Sequence, residues 1–154
     1  MLFIDFETTS YISVKDVGAQ AYARHPSTKI LCMAYAFDDE EVDVWVPHFQ
    51  QLPNRIKEHI ESGGKVSAWN VAFERSVIEN NDFPKVADDQ WVCTMAKATR
   101  LGLPASLKET AKAVGDVEKD EDGARAMRML SDLKKLESMD EDKRRELFEI
   151  TLSY

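Results

Sequence analysis

The stretch Leu2-Phe3-Ile4-Asp5-Phe6-Glu7 decides how the rest of this chain is arranged, because it places two carboxylates inside an otherwise apolar run. Side chains on a β-strand alternate between two faces, so Asp5 and Glu7 are predicted to share one face and the apolar residues the other. Two like charges buried in a sheet favour a hard divalent cation with oxygen ligands. An edge strand with a solvated charged face produces the same pattern, and these six residues alone leave both interpretations open.

The composition is typical of one globular domain. The chain has 154 residues, of which 44% are hydrophobic and 31% charged, enough to build a sizeable core. A formal net charge of −8 argues against a protein that holds nucleic acid by bulk electrostatics, but it is compatible with a nuclease whose acids are neutralised by metal ions. Cys32 and Cys93 lack CxxC spacing, which favours reduced thiols and a cytoplasmic protein, such as one in a phage-infected or prophage-bearing bacterial cell. No long apolar run or leader is present, so neither membrane insertion nor secretion is expected.

The hydrophobic patterns of the first half predict an α/β sheet. Residues 8–28 are polar and predict a loop with one helical turn, whereas residues 30–46 predict a hairpin of two apolar strands joined by an acidic turn. Apolar residues recur every four positions over residues 52–60, which indicates an amphipathic helix. Residues 65–68 then predict a short strand.

The second half is predicted to be mainly helical. Residues 91–98 read as a short strand or the start of a helix, and residues 106–109 form a capping box. The helix opened by this box is predicted to turn inward Leu107, Thr110, Ala111 and Val114. Residues 126–133 have apolar side chains at helical spacing, with the methionines in the core. The inward residues of a last helix are Leu147, Ile150 and Tyr154.

A third acid follows the strand predicted at residues 65–68. Asn70 is suited to cap the start of a helix, on which Glu74 shares the apolar face. A long carboxylate at the edge of such a face commonly reaches solvent, and the segment alone favours that interpretation. However, helices that follow strands in open α/β sheets begin where such folds place ligands, which would bring Glu74 to Asp5 and Glu7.

Several segments together carry a family resemblance. Three stand out in order along the chain, namely Asp5-Phe6-Glu7-Thr8, Asn70-Val71-Ala72-Phe73-Glu74 and Leu152-Ser153-Tyr154. Connecting segments lie between them at residues 22–28, 91–96 and 101–104. Over nearly its whole length the chain resembles the 3′→5′ exonuclease domain of the DEDD superfamily, in the form found in phage-type family A DNA polymerases. A lone DxE pair is a weak signal, but three motifs in order with these connecting segments are a strong one.

The resemblance implies a ribonuclease-H-like fold, which is a mixed α/β sheet with flanking helices, and a single exonuclease-like domain over residues 1–154. It implies hydrolysis of DNA from the 3′ end with two Mg²⁺ or Mn²⁺ ions, and its expected partners are single-stranded or frayed DNA 3′ ends and a polymerase domain in the parent protein. The implied catalytic residues are Asp5, Glu7, Glu74 and Tyr154. The three acids are the implied metal ligands, with Asp5 bridging both ions, and the tyrosine orients the attacking water. The implied contacts of the terminal nucleotide are Thr8, Asn70 and Phe73.

The chain departs from the family pattern at two points. The second motif usually ends in aspartate, whereas Glu74 stands there and is expected to change the spacing to the metal. In the family, the third-motif tyrosine is followed four residues later by a last metal-binding aspartate, and the printed sequence ends at Tyr154. The domain is therefore expected to be cut short within its third motif, to bind the second ion weakly, and to degrade DNA slowly or not at all. The alternative is a catalytically impaired remnant that acts as a nucleic-acid-binding or interaction module.

Overall fold

The computed structural model describes residues 1–115 and 121–152, and within those ranges it contains five strands and eight α-helices. In chain order they are β1 (Leu2–Thr9), α1 (Val14–Arg24), β2 (Lys29–Phe37), β3 (Asp43–Trp45), α2 (Asn54–Glu61), β4 (Val66–Ala68), α3 (Val71–Glu79), β5 (Trp91–Cys93), α4 (Thr94–Arg100), α5 (Leu107–Val114), α6 (Glu121–Leu130), α7 (Leu133–Ser138) and α8 (Glu141–Leu152). One turn of 3₁₀-helix, Asp88–Gln90, precedes β5.

The strands form one mixed sheet with the order β3-β2-β1-β4-β5. The β2 strand is antiparallel to β1 and to β3, whereas β4 is parallel to both β1 and β5. This arrangement confirms the predicted α/β class, a ribonuclease-H-like mixed sheet with flanking helices. The predicted hairpin, the helix over residues 52–60 and the short strand after it are also confirmed, as β2–β3, α2 and β4.

β1 is the central strand of the sheet, so the edge-strand interpretation of its acids is wrong. Its side chains alternate as predicted, with Leu2, Ile4 and Phe6 buried on one face. This face packs on the main hydrophobic core, to which α2 contributes Ile56 and Ile60. On the opposite face, the two acids lie beside the small side chains of β2, because Asp5 is paired with Ala34 and Glu7 with Cys32.

A β-bulge interrupts the pairing of β1 and β2 directly after Glu7. Glu7 is paired with Cys32 and Thr8 with Ile30, which leaves Leu31 as the extra residue. Leu31 packs against a second hydrophobic core that α6 and α8 build from Ala126, Met127, Leu130 and Leu147. The bulge thus bends β2 opposite the residue that follows the second acid. Beyond it, Ser10 at the end of β1 exchanges backbone hydrogen bonds with the turn between α6 and α7.

The prediction of a loop with one helical turn over residues 8–28 is wrong. α1 has eleven residues, is capped by the Ser13 side chain, which accepts a hydrogen bond from the Lys15 backbone N–H, and is kinked at Gly18, where φ is 77°. Only Tyr22 and Ala23 are buried in this helix. Val14, Val17 and Tyr22 stand at helical spacing in the sequence, but the signal is weak because Gly18 interrupts it.

Two further expectations need correction or refinement. Residues 91–98 divide into β5 and the first part of α4, so both alternatives apply in part. The capping residue of α5 is Ser106, as predicted. The predicted inward face of this helix is wrong, because Leu107 and Val114 are 53% and 67% exposed and only Thr110 is buried. In α8, Leu147 is buried as predicted, while Tyr154 lies outside the described residues.

Both cysteines are free thiols, as expected, with Cys32 buried and Cys93 half-buried. None of the helices in the described ranges combines the length and apolar character needed to cross a bilayer.

Candidate active site

The three candidate metal ligands come from two elements that meet near the carboxyl end of β1. Asp5 and Glu7 lie in that strand, and Glu74 lies in the first turn of α3, which follows the parallel strand β4. β4 is parallel to β1 and Ser67 is paired with Phe3, so α3 begins beside the part of β1 that carries the acids. α3 packs against α1 as well as against β1, β4 and β5. The topology therefore brings together acids that are far apart in the sequence.

Glu74 is buried, with 4% of its surface exposed, so the solvent-reaching interpretation is wrong. Its Oε2 atom makes no hydrogen bond with any residue that the structure describes. Burial is the main cause that raises the pKa of Glu74, with the charges of Asp5 and Glu7 adding to it and a backbone hydrogen bond opposing it, and the result is about 8. This carboxyl group is therefore largely protonated at neutral pH when no cation is present.

The pKa values of Asp5 and of Cys32, whose thiol lies opposite Glu7, are also raised. Asp5 is an exposed residue, and desolvation by the surrounding protein still raises its pKa. Burial, followed by the charges of Glu7 and Asp5, raises the pKa of the Cys32 thiol to about 11. Cys32 lies beside the acids because of the register in which β2 pairs with β1, which the sequence pattern alone did not specify.

The donor set fits a hard divalent cation. Carboxylate oxygens are the ligands that Mg²⁺ and Mn²⁺ prefer, and an unpartnered buried oxygen on Glu74 is the atom that such an ion would satisfy. Among residues 1–115 and 121–152, no three His, Cys, Asp or Glu side chains are already grouped closely enough to hold an ion.

Of the three predicted nucleotide contacts, Thr8 and Phe73 both contact Tyr22, and Asn70 is exposed. The Thr8 hydroxyl is buried and lies 2.9 Å from the Tyr22 hydroxyl, and the half-buried Phe73 ring is 6.1 Å from the Tyr22 ring. Asn70 is exposed and precedes α3 as expected, but its side chain makes no capping hydrogen bond, and only its backbone carbonyl accepts one, from Phe73. The fourth predicted catalytic residue, Tyr154, lies outside the described residues.

Sequence reasoning missed the residues that surround the end of β1. Tyr22 contacts both Thr8 and Phe73, and behind it Ser10 and Thr28 lie in a group of hydrogen-bonded hydroxyl side chains. The polar segment at residues 22–28 was the available signal, because so many hydroxyl groups beside an acidic strand end need partners.

Comparison with known proteins finds a similarity to a phage DNA polymerase. It is similar to the DNA polymerase of Bacillus phage SP02, with 35% identity over 133 residues that make up 84% of this chain and 20% of that polymerase. The similarity supports a polymerase-related domain. The chain spans about a fifth of the length of this relative. No family model matches the chain.

Proposed function

We propose that the chain is a metal-dependent 3′→5′ exonuclease domain of the proofreading type, part of a phage-type DNA polymerase. The observation that carries this proposal is Glu74, a buried acid with an unpartnered oxygen that lies close enough to Asp5 and Glu7 for their charges to raise its pKa. An acid in this state is costly in a purely structural role, since the same volume can be filled by an apolar side chain. The ribonuclease-H-like sheet and the similarity to a phage polymerase support the same conclusion.

The roles of the residues follow from where the fold holds them. Pairing with β2 fixes the backbone of Asp5 and Glu7, and burial in α3 fixes Glu74, so the acids are held before any ion binds. When bound, two Mg²⁺ or Mn²⁺ ions supply an activated water and stabilise the leaving oxygen of the phosphodiester. Asp5, Glu7 and Glu74 are the proposed ligands.

The remaining proposed roles concern the substrate. Thr8, Asn70 and Phe73 are the proposed contacts of the terminal nucleotide, and Tyr154 is proposed to orient the attacking water. The proposed substrate is the 3′ end of single-stranded or frayed DNA. The proposed partner is the polymerase portion of the parent protein, since most of the SP02 polymerase lies outside the part that matches this chain.

The test of activity uses a single-stranded oligonucleotide labelled at its 5′ end, incubated with Mn²⁺ and with either this chain or a version extended through an aspartate four residues beyond Tyr154. We expect stepwise shortening from the 3′ end, faster with the extended chain. The variants Asp5→Asn and Glu74→Gln should each lower the rate by tenfold or more, roughly 1.4 kcal/mol or more in the barrier.

The matched control is Asp39→Asn, which neutralises an exposed acid in the turn after β2 and should leave the rate unchanged. If both versions of the chain bind the oligonucleotide but never shorten it, the proposal is wrong and the interaction module is the better description.

A further inference from the structure

Tyr22 contacts both of the elements that carry the candidate metal ligands. Its hydroxyl is 2.9 Å from the hydroxyl of Thr8, the residue after Glu7, and its ring is 6.1 Å from the ring of Phe73, the residue before Glu74. The side chain is 3% exposed and comes from the last turn of α1. One rigid, buried ring therefore lies between the chain neighbours of two proposed ligands.

The end of α1 is held in place by several hydrogen bonds. The Thr28 hydroxyl lies 2.6 Å from the backbone carbonyl of Tyr22 and 3.0 Å from the Ser10 hydroxyl. The Ser27 hydroxyl is 2.8 Å from the Ser10 hydroxyl and accepts a hydrogen bond from the Tyr11 backbone N–H. Because these bonds join the segment after α1 to the end of β1, the position of Tyr22 relative to the strand is well defined.

We propose that Tyr22 is a positioning residue that sets the separation between the β1 acids and Glu74, and thereby the affinity of the site for a divalent cation. The hydroxyl determines where Thr8 and thus Glu7 lie, and the ring determines where Phe73 and thus Glu74 lie. That the site binds a cation rests on the proposed function. The coupling of β1 and α3 through Tyr22 does not depend on it.

The chemistry of the hydroxyl agrees with this role. Burial is the main cause that raises the pKa of Tyr22, and the charge of Glu7 raises it further against the opposing effect of the Thr8 hydrogen bond. The phenol therefore stays protonated at neutral pH and remains able to donate. Since the charge of Glu7 raises the pKa of Tyr22, these two side chains lie close together.

The test compares Tyr22→Phe with Tyr35→Phe. Each change deletes one phenol hydroxyl that makes one side-chain hydrogen bond, but Tyr35 donates at 2.8 Å to Asp43 in the β2–β3 hairpin. In metal-free protein, Tyr22→Phe should shift the backbone amide resonances of both Thr8 and Phe73, whereas Tyr35→Phe should shift neither. Phe73→Leu should in turn shift the amide resonance of Thr8. The same change should have no effect on Thr8 in a chain that already carries Tyr22→Leu.

The second measurement is a Mn²⁺ titration followed by electron paramagnetic resonance. Tyr22→Phe should weaken Mn²⁺ binding about tenfold, the lower end of what partners of metal ligands contribute, while Tyr35→Phe should leave it unchanged. A melting curve for each variant confirms folding, and Thr8→Val removes the same hydrogen bond from the other side. Unchanged Mn²⁺ affinity in Tyr22→Phe, or amide shifts confined to Thr8, would overturn the inference. A wild-type chain that binds no Mn²⁺ would count against the proposed function, and the amide shifts would still decide whether Tyr22 couples β1 to α3.

Discussion

At the scale of single residues, burial changes the acid–base chemistry of Glu74. A carboxyl group usually ionises near pH 4.5, but burial and the neighbouring acids raise the pKa of Glu74 to about 8. Between these two values the folded chain keeps a proton that the unfolded chain has released. The free energy of unfolding therefore falls as the pH rises from 4.5 to 8, and the contribution of this group is fully present only below 4.5.

The corresponding prediction is that Glu74→Gln removes most of this pH dependence. Glutamine is uncharged at every pH, so the metal-free variant should be more stable than the wild type at pH 8, by an amount on the order of a few kcal/mol, since one pKa unit corresponds to about 1.4 kcal/mol. Urea unfolding in EDTA at several pH values between 5 and 8 measures the effect. Glu58→Gln, a change at an exposed position in α2, is the control and should leave the slope as it is. A wild-type chain whose stability rises over this range would contradict the prediction.

At the scale of secondary-structure elements, helices with similar patterns differ in what they bury. α3 buries Val77, which is 1% exposed, against the main core, whereas Val114 of α5 is 67% exposed. Both positions follow the apolar spacing of an inward helical face. The difference arises because α3 lies against the sheet, whereas Leu107 and Val114 of α5 remain more than half exposed.

Matched substitutions test this difference. Val77→Ala should lower the free energy of unfolding by about 2 kcal/mol, because two methyl groups leave a packed core. Val114→Ala should change it by less than about 0.5 kcal/mol, since the position is exposed. The intrinsic helix preference for alanine is common to both changes and cancels in the comparison. Equal losses in urea unfolding would show that α5 is packed as the sequence pattern first suggested.

At the scale of the whole molecule, the main core does not include the candidate metal ligands. It packs one face of β1 on α2 and α3, with Leu2, Ile56 and Val77 almost fully buried, whereas the acids of β1 lie on the other face. The chain is therefore expected to fold without a metal ion. A bound cation adds stability because it binds the folded state and neutralises the acids.

The prediction for the whole molecule is a metal-dependent rise in melting temperature. At a Mn²⁺ concentration 100 times the Kd, binding contributes about 2.7 kcal/mol, or roughly 5–10 °C for a domain of this size. Melting curves with EDTA and with Mn²⁺ measure it, and Asp5→Asn should show a much smaller rise. An apoprotein that is unfolded at room temperature would contradict the view that the core is independent of the site.

Much of the fold could be predicted because local patterns agree with it. Alternation in residues 2–7, the hairpin over residues 30–46 and the four-residue repeat over residues 52–60 all correspond to elements that bury one face. α1 was missed because Gly18 interrupts its short apolar series, and because the helix buries only Tyr22 and Ala23. The inward face of α5 was predicted wrongly because periodicity identifies a possible buried face but not whether another element covers it.

The sequence by itself determined that Asp5 and Glu7 share one face of a strand, since the alternation of side chains along a strand depends only on local order. It also determined that Glu74 stands near the start of a helix. Only the tertiary structure decided that Glu74 is buried, that its pKa is raised to about 8, and that Cys32 and Tyr22 lie beside the acids. Burial and charge–charge effects depend on distances between residues remote in the chain, and strand order, register and helix packing set those distances.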